Sequence, residues 1–244
     1  MSATIKMSEA NVRKPGFSEG RPDGVPWKLT VSADSLDWEA RCRFGAVRNV
    51  VVLGMDGMPA FERPEYREAP NTNIVAYGLK DGGVYIAILH EGRPHADDPT
   101  QEPGTENSPI TFGQVPMGFK DKLFGPDAPE MEDTLEAAAR ELGEETGTTA
   151  IKRLYRPKYP FHNPNPTFVA TWSDLVFAEV DLSKVGEKRL GRNELIYKAE
   201  YIPAKELITR IENGTHENAV YRAGTSLSIL MIFFATHPEY FSKD

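Results

Sequence analysis

Three carboxylates fall within five positions in the run Arg140-Glu141-Leu142-Gly143-Glu144-Glu145-Thr146-Gly147, inside a segment whose apolar residues repeat like a helix. Leu135, Ala138, Ala139 and Leu142 recur at i, i+3, i+4 and i+7, which predicts a helix over residues 131–146 with one apolar stripe. Asp133 and Glu136 have the spacing of a capping box, and Gly147 stands where a helix exit favours glycine. In that helix Glu141, Glu144 and Glu145 share a face, off the apolar stripe and pointing away from the core. Like charges at this spacing cost a helix about a few tenths of a kcal/mol per pair. Hard divalent cations would relieve the repulsion, because Mg²⁺ and Mn²⁺ prefer carboxylate and carbonyl oxygens. The alternative is an ordinary acidic surface helix.

Around this helix the chain alternates short strands and helices. Residues 1–26 mix Ser, Gly, Pro and charge without periodicity and read as a flexible arm. Residues 27–70 read as a small β-rich unit, with VVVLG ended by a turn at Asp56-Gly57. Residues 73–78 and 84–89 flank LKDGG and predict a hairpin turning at Asp81-Gly82. Residues 91–109 read as a polar loop, 110–118 as one short strand, and 119–129 as irregular. Strands are expected at 150–159, 168–180 and 195–202, with a rigid loop at 161–166 and another loop at 181–192. Helices are expected at 203–213, closed by Gly214, and at 219–235, stopped near Pro238. Hairpins imply a mixed sheet, so the expected class is α/β in the α+β sense, a sandwich with a helix on each side of the sheet.

A chain of 244 residues with 40% hydrophobic residues can bury one sizeable core plus a smaller unit. The net charge of −8 argues against non-specific nucleic-acid binding, which needs basic patches. The single cysteine, Cys42, forms no intrachain disulfide and reads as a strand residue, which fits a reducing compartment. No apolar signal segment opens the chain, and the most apolar run, LSILMIFFA at 227–235, is too short to span a bilayer, so a cytoplasmic location without membrane contact is expected. The five histidines show no zinc spacing, and GxSxG, P-loop and GxGxxG patterns are absent. His162 reads as a loop histidine or a substrate contact. Phe161, Phe168, Trp172 and Trp38 read as core packing, with adenine stacking the alternative.

Glu132, seven intervening residues and the run Arg140–Gly147 together resemble the Nudix box, Gx5Ex7REUxEExGU, where U is a bulky aliphatic residue. Two departures stand out. Thr148 occupies the last U, and the opening glycine aligns best with Gly118 of VPMG, with thirteen residues between it and Glu132 instead of five, an insertion of eight. Gly125, with six residues between, is the other candidate. The resemblance implies a Nudix-type α/β/α sandwich over residues 71–244, with the N-terminal unit as a possible dimerisation element. It implies hydrolysis of a nucleoside diphosphate linked to another group, dependent on two or three Mg²⁺ or Mn²⁺ ions. Glu141 and Glu145 would be the principal ligands, Glu144 would join a further ion, and the Met117 carbonyl would complete the set. Glu132 either binds metal or serves the helix start, and Arg140 orients the glutamates.

Beyond the box, several features resemble the ADP-ribose pyrophosphatase and nucleoside-diphosphate-sugar hydrolase subgroup. Pro164 lies sixteen positions after Thr148, where that subgroup has a proline. His90-Glu91-Gly92-Arg93 resembles its E-Q-x-R segment only at the arginine, which places Arg93 on phosphate. Arg192-Asn193-Glu194-Leu195-Ile196 resembles NExI and makes Glu194 the general-base candidate. Asn218, in a stretch resembling the subgroup's final loop, reads as a helix cap. A small-molecule nucleotide substrate and a homodimer follow. Alternatives are hydrolysis of dinucleoside polyphosphates, NADH or coenzyme A, or a silent nucleotide-binding sensor.

Overall fold

The computed structural model describes residues 30–31, 39–42, 45–53, 59–93, 110–120, 132–163, 172–190, 195–217, 219–221 and 223–240. The chain divides into two compact units, Met1–Ala69 with Asn165–Thr171, and Pro70–Pro164 with Trp172–Asp244. In the first, β1 (Thr30–Val31), β2 (Glu39–Cys42), β3 (Gly45–Leu53) and β4 (Pro59–Glu68) form an antiparallel sheet. β3 takes β4 as one partner and pairs β1 and β2 at its two halves. The expected arm, the Asp56-Gly57 turn and Trp38 lie outside the described residues.

The second unit is built on a ten-stranded mixed sheet. β5 (Asn71–Lys80) and β6 (Gly83–Arg93) form the hairpin foreseen at Asp81-Gly82. The two strands pair only near the turn, from Tyr77↔Ile86 to Lys80↔Gly83, and then part. β7 (Ile110–Gln114) pairs with the far half of β6, and β8 (Met117–Phe119) pairs with the near end of β5. Residues 110–118 are therefore two strands rather than one. Pro116 has no N–H to extend a ladder, and the chain changes partners there. The Val115 amide goes to Ser226 Oγ and the Pro116 carbonyl accepts from the Ile74 N–H. Residues 91–93, expected in a loop, are the end of β6, held by β7 on one side and β12 (Ile196–Pro203) on the other.

β11 (Ser173–Val180) lies parallel to β5 on its other edge and pairs in turn with β9 (Ile151–Tyr155) and β10 (Phe161–His162). The short strand β10 replaces the start of the expected rigid loop. β13 (Thr215–His216) and β14 (Ala219–Val220) close the sheet beyond β7.

One face of this sheet packs on α1 (Thr134–Thr146), through Ile74, Ala76, Ala87, Val176 and Ala178 against Ala138 and Leu142. Full burial of a side chain such as Leu142 contributes about 1.5–3 kcal/mol. The other face packs on α2 (Ala204–Asn213) and α3 (Gly224–Thr236), with Val75, Tyr77, Ile86, Ile88, Leu175 and Phe177 against Leu207, Ile229 and Phe233. The α/β/α sandwich is thus observed. α3 starts five residues later than expected, because Ala219–Val220 adds to β7 as a parallel strand before the helix begins. None of the described helices is long and apolar enough to cross a membrane.

Candidate functional site

α1 begins three residues later than its periodicity predicted. Asp133 caps it, accepting from the Leu135 N–H at 2.8 Å. The helix ends at Gly147, whose φ of 72° is left-handed and suits glycine. Three contacts then fix this end: Gly186 N–H to the Gly147 carbonyl (2.9 Å), Arg189 N–H to the Glu144 carbonyl (2.7 Å), and Thr148 Oγ1 to Tyr201 Oη (2.7 Å). The last contact accounts for the polar residue at the aliphatic position of the box. Thr148 is fully buried, and its hydroxyl is satisfied by Tyr201 and by Thr146 Oγ1 at 2.8 Å.

The carboxylates correct the sequence reading. Glu141 and Glu145 do not point away from the protein: they are 7% and 5% exposed and turn toward β8. Glu145 Oε2 accepts from the Met117 N–H at 3.1 Å. Glu141 lies over Gly118 so closely that a Cβ there would stand 1.9 Å from Glu141 Cδ. A side chain at Gly118 would displace the Glu141 carboxylate from this position, which accords with Gly118 as the glycine aligned to the start of the box; Gly125 lies outside the described residues. β5 hydrogen-bonds to β8 through Ile74 with Pro116 and through Pro70 with Lys120. This alternation turns the Met117 N–H and carbonyl together to the opposite edge, toward Glu145.

Arg140 ties the group. Its Nε and Nη2 grip both oxygens of Glu132 (3.0 and 2.9 Å), Nη1 reaches Glu141 (2.8 Å) and Glu144 (3.2 Å), and Nη2 also donates to the Phe119 carbonyl (2.9 Å). The Glu132 hydrogen bonds, with the charge of Glu141, raise the guanidinium pKa further above its ordinary value, so it is permanently charged. Glu144 is the most exposed member. On α1 the described carboxylates therefore supply hard oxygen donors, with Glu141 and Glu145 buried and Glu144 more exposed.

Arg93 ends β6 opposite Ile110, and its side chain is outside the description. Pro164, Glu194 and Asn218 are likewise outside the described residues. The Leu195 carbonyl accepts from the Gly92 N–H at 2.9 Å, so the chain leaving Glu194 rejoins the sheet beside the residue preceding Arg93. His162 lies in β10 opposite Ser173; its Nε2 is buried without a partner among the described residues, and burial lowers its pKa. Phe161 and Trp172 are exposed, not core, and Phe168 lies outside the description.

Sequence reading missed a second polar cluster on the opposite face. His90 Nε2 donates to Glu200 Oε1 (2.9 Å) and touches Tyr221 Oη (2.9 Å). Arg210 donates to Glu200, Glu206 and Tyr221, and Lys198 pairs with Glu200 and Glu217. Among the described residues, His90, Glu200 and Glu217 are the group of three whose ligand atoms lie within 4.8 Å of one another. Two cations already sit among them. Burial pushes the Glu200 carboxyl up, but the bonds from Arg210 and Lys198 outweigh it and hold the group ionised. Its members lie up to 131 residues apart in sequence, so no local motif announces them.

Residues 127–223 match the family model described as NUDIX domain. That stretch contains α1 and its carboxylates and is similar to that family. A crystal structure of an ADP compounds hydrolase shares the fold at 18% identity and TM-score 0.51, covering 87% of this chain and 95% of that one. A cocrystal structure of the Nudix domain of Shewanella oneidensis NrtR complexed with ADP ribose is similar at 10% identity and TM-score 0.41, covering 69% and 88%. No curated protein matches the chain.

Proposed function

We propose that this protein is a metal-dependent pyrophosphohydrolase that cleaves a nucleoside diphosphate linked to another moiety, with ADP-ribose the favoured substrate. The observation that carries the reading is the pair Glu141 and Glu145, buried one helical turn apart against Gly118 and the Met117 amide, where β5 and β6 part. The donors fit Mg²⁺ or Mn²⁺, being oxygens without thiolate or imidazole. Glu141, Glu145, Glu144 and the Met117 carbonyl would hold two or three ions. Such ions supply positive charge against diphosphate oxygens and lower the pKa of a water.

Arg140 holds Glu141 and Glu144 in place rather than touching substrate. Glu194 is assigned as general base, taking the proton of the attacking water. Arg93 is assigned to a phosphate and Pro164 to the substrate-facing loop. The water oxygen bonds to one phosphorus, the P–O–P bridge breaks, and the bridging oxygen leaves with the other phosphate, giving two monophosphates. The choice of ADP-ribose rests on the subgroup resemblance and accords with the fold shared with an ADP compounds hydrolase. A homodimer, a cytoplasmic location and the division into arm 1–26, β-rich unit 27–70 and hydrolase domain 71–244 belong to the same proposal.

One observation favours a second reading, a nucleotide-binding sensor: Glu132, Glu141 and Glu144 all pair with Arg140, whose charge offsets part of theirs. The test is a panel of ADP-ribose, other nucleotide sugars, dinucleoside polyphosphates, NADH and coenzyme A, incubated with Mg²⁺ or Mn²⁺. Phosphatase-sensitive product would be measured. Fastest turnover of ADP-ribose is expected. Turnover of another class redirects the substrate, and binding without turnover of any member leaves the sensor.

A further inference from the structure

Asp174, at the start of β11, is 8% exposed, and both its oxygens are taken. Oδ2 accepts from Lys120 Nζ (2.5 Å) and Thr134 Oγ1 (2.9 Å), and Oδ1 accepts from Arg156 Nη2 (2.6 Å). Lys120 Nζ also donates to Thr134 Oγ1 at 2.7 Å. Each partner is the end of an element: Lys120 follows β8, Thr134 opens α1, and Arg156 follows β9. Asp174 therefore ties the strand that presents Met117 and Gly118 to the helix that presents Glu141 and Glu145. Arg140 makes a parallel tie one step away, from the Phe119 carbonyl to Glu132. Between the two sides of this neck lies the segment that is eight residues longer than in the Nudix box.

We propose that Asp174 is a positioning residue for the metal-binding edge: it clasps Lys120, after β8, to Thr134, at the start of α1, so that α1 keeps its register against β8. The proposal rests on the reading of Glu141 and Glu145 as metal ligands. α1 is rigid and is already fixed at its C-terminal end through Gly147, Glu144 and Thr148. Without Asp174 the first turn keeps the Lys120–Thr134 bond and the Arg140 tie but loses its buried anchor, and the helix is freer to pivot about its C-terminal end. Glu141 lies further from the pivot than Glu145, by about 6 Å at 1.5 Å per residue, and moves more. The β8 side is loosened as well, because Lys120 keeps its backbone bond to Pro70 and its bond to Thr134 but loses its carboxylate partner.

Mn²⁺ binding to the full chain without substrate, read by electron paramagnetic resonance, tests this alongside thermal unfolding. Asp174→Asn is expected to weaken Mn²⁺ about tenfold, the effect of losing a group that orients metal ligands. KM for ADP-ribose at saturating Mn²⁺ should stay unchanged. Lys120→Met and Thr134→Val, which each remove one arm, should shift Mn²⁺ affinity the same way by less, and they decide the matter if Asp174→Asn does not fold. Thr72→Val is the control: Thr72 pairs with Asp174 in the sheet, and its buried Oγ1 has no partner among the described residues. If Asp174→Asn lowers the melting temperature while Mn²⁺ affinity stays that of wild type and Glu145→Gln abolishes it, Asp174 only holds the fold and the proposal is overturned. If Glu145→Gln binds Mn²⁺ as wild type does, or wild type binds none, the ligand reading itself fails and takes this proposal with it.

Discussion

Two charged clusters sit on opposite faces of the same sheet, and they solve opposite problems. On the α1 face Glu132, Glu141 and Glu144 gather round one guanidinium among the described residues, and Glu145 adds a fourth carboxylate bonded to a backbone amide. On the α2 face Glu200, Glu206 and Glu217 meet two cations, Lys198 and Arg210, with a histidine and a tyrosine filling the remaining hydrogen bonds. Distance alone would choose the second as a metal site, since its ligand atoms lie within 4.8 Å of one another. Charge chooses the first. A divalent ion entering the second cluster would displace Lys198 and Arg210 from partners they already hold. An ion at the α1 edge relieves carboxylates that stand one turn apart on a helix, where like charges repel.

The sharpest way to break this contrast is to neutralise one carboxylate in each cluster. Glu145→Gln keeps an oxygen to accept the Met117 N–H and removes only the charge. It should leave the melting temperature nearly unchanged and lower the Mg²⁺-supported rate at least about a hundredfold, as expected for a lost metal ligand. Glu217→Gln, which loosens Lys198, should leave that rate unaltered. Equal losses in both variants would erase the distinction, and an unchanged rate in Glu145→Gln would remove the α1 site altogether.

The contrast also separates what a sequence displays from what it conceals. The α1 cluster was legible because its parts are local: the stripe of Leu135, Ala138 and Leu142, the Asp133 cap, the Gly147 exit and the carboxylates lie in one short run. The hairpin at Asp81-Gly82 was legible for the same reason. Concealed was anything decided by a distant partner. Glu141 and Glu145 are buried against β8, far upstream, where Gly118 leaves room for Glu141 and the Met117 N–H meets Glu145. Residues 110–118 break into two strands at Pro116, where the diverging β5 and β6 offer different edges. His90 looked like one of five histidines without a pattern, and its partners Glu200 and Tyr221 come from β12 and the strand-like end beyond β14.

Thr148 gives a smaller test of the α1 face, at the one position where the box departs from an aliphatic residue. Its hydroxyl and that of Tyr201 are partners in a dry setting, and burial raises the Tyr201 pKa. Thr148→Val or Tyr201→Phe alone removes one bond from a hydroxyl group of three that Thr146 completes, and should cost about 0.5–1.5 kcal/mol. The double variant should cost less than the sum of the two, because both lose the same bond. Chemical denaturation of all four proteins measures the coupling. Strict additivity would mean that the hydroxyl pair contributes nothing and that the helix end is held by Gly186 and Arg189.

The smallest effect expected belongs to the α2 face and is read through pH. Burial lowers the His90 pKa below its ordinary 6.5, with Lys198 and Arg210 acting the same way and Glu200 opposing them. In the unfolded chain the imidazole binds a proton near pH 6.5, while in the folded protein it resists until the pH is lower. Between these two values the unfolded state holds more protons, so stability must fall as pH falls through this window and level off below the folded pKa. His90→Gln abolishes that titration. Its unfolding free energy should lie below that of wild type at pH 7.5, because the contacts to Glu200 and Tyr221 are weakened, and the gap should narrow as pH falls through the window below 6.5. The acid loss due to Glu200 begins lower, below its ordinary 4.5, since its folded pKa is depressed. Urea unfolding at half-unit pH steps separates the two. A gap that stays constant from pH 7.5 to 5 would show that His90 is not held neutral by its surroundings, and the α2 cluster would then contain a third cation rather than a satisfied neutral donor.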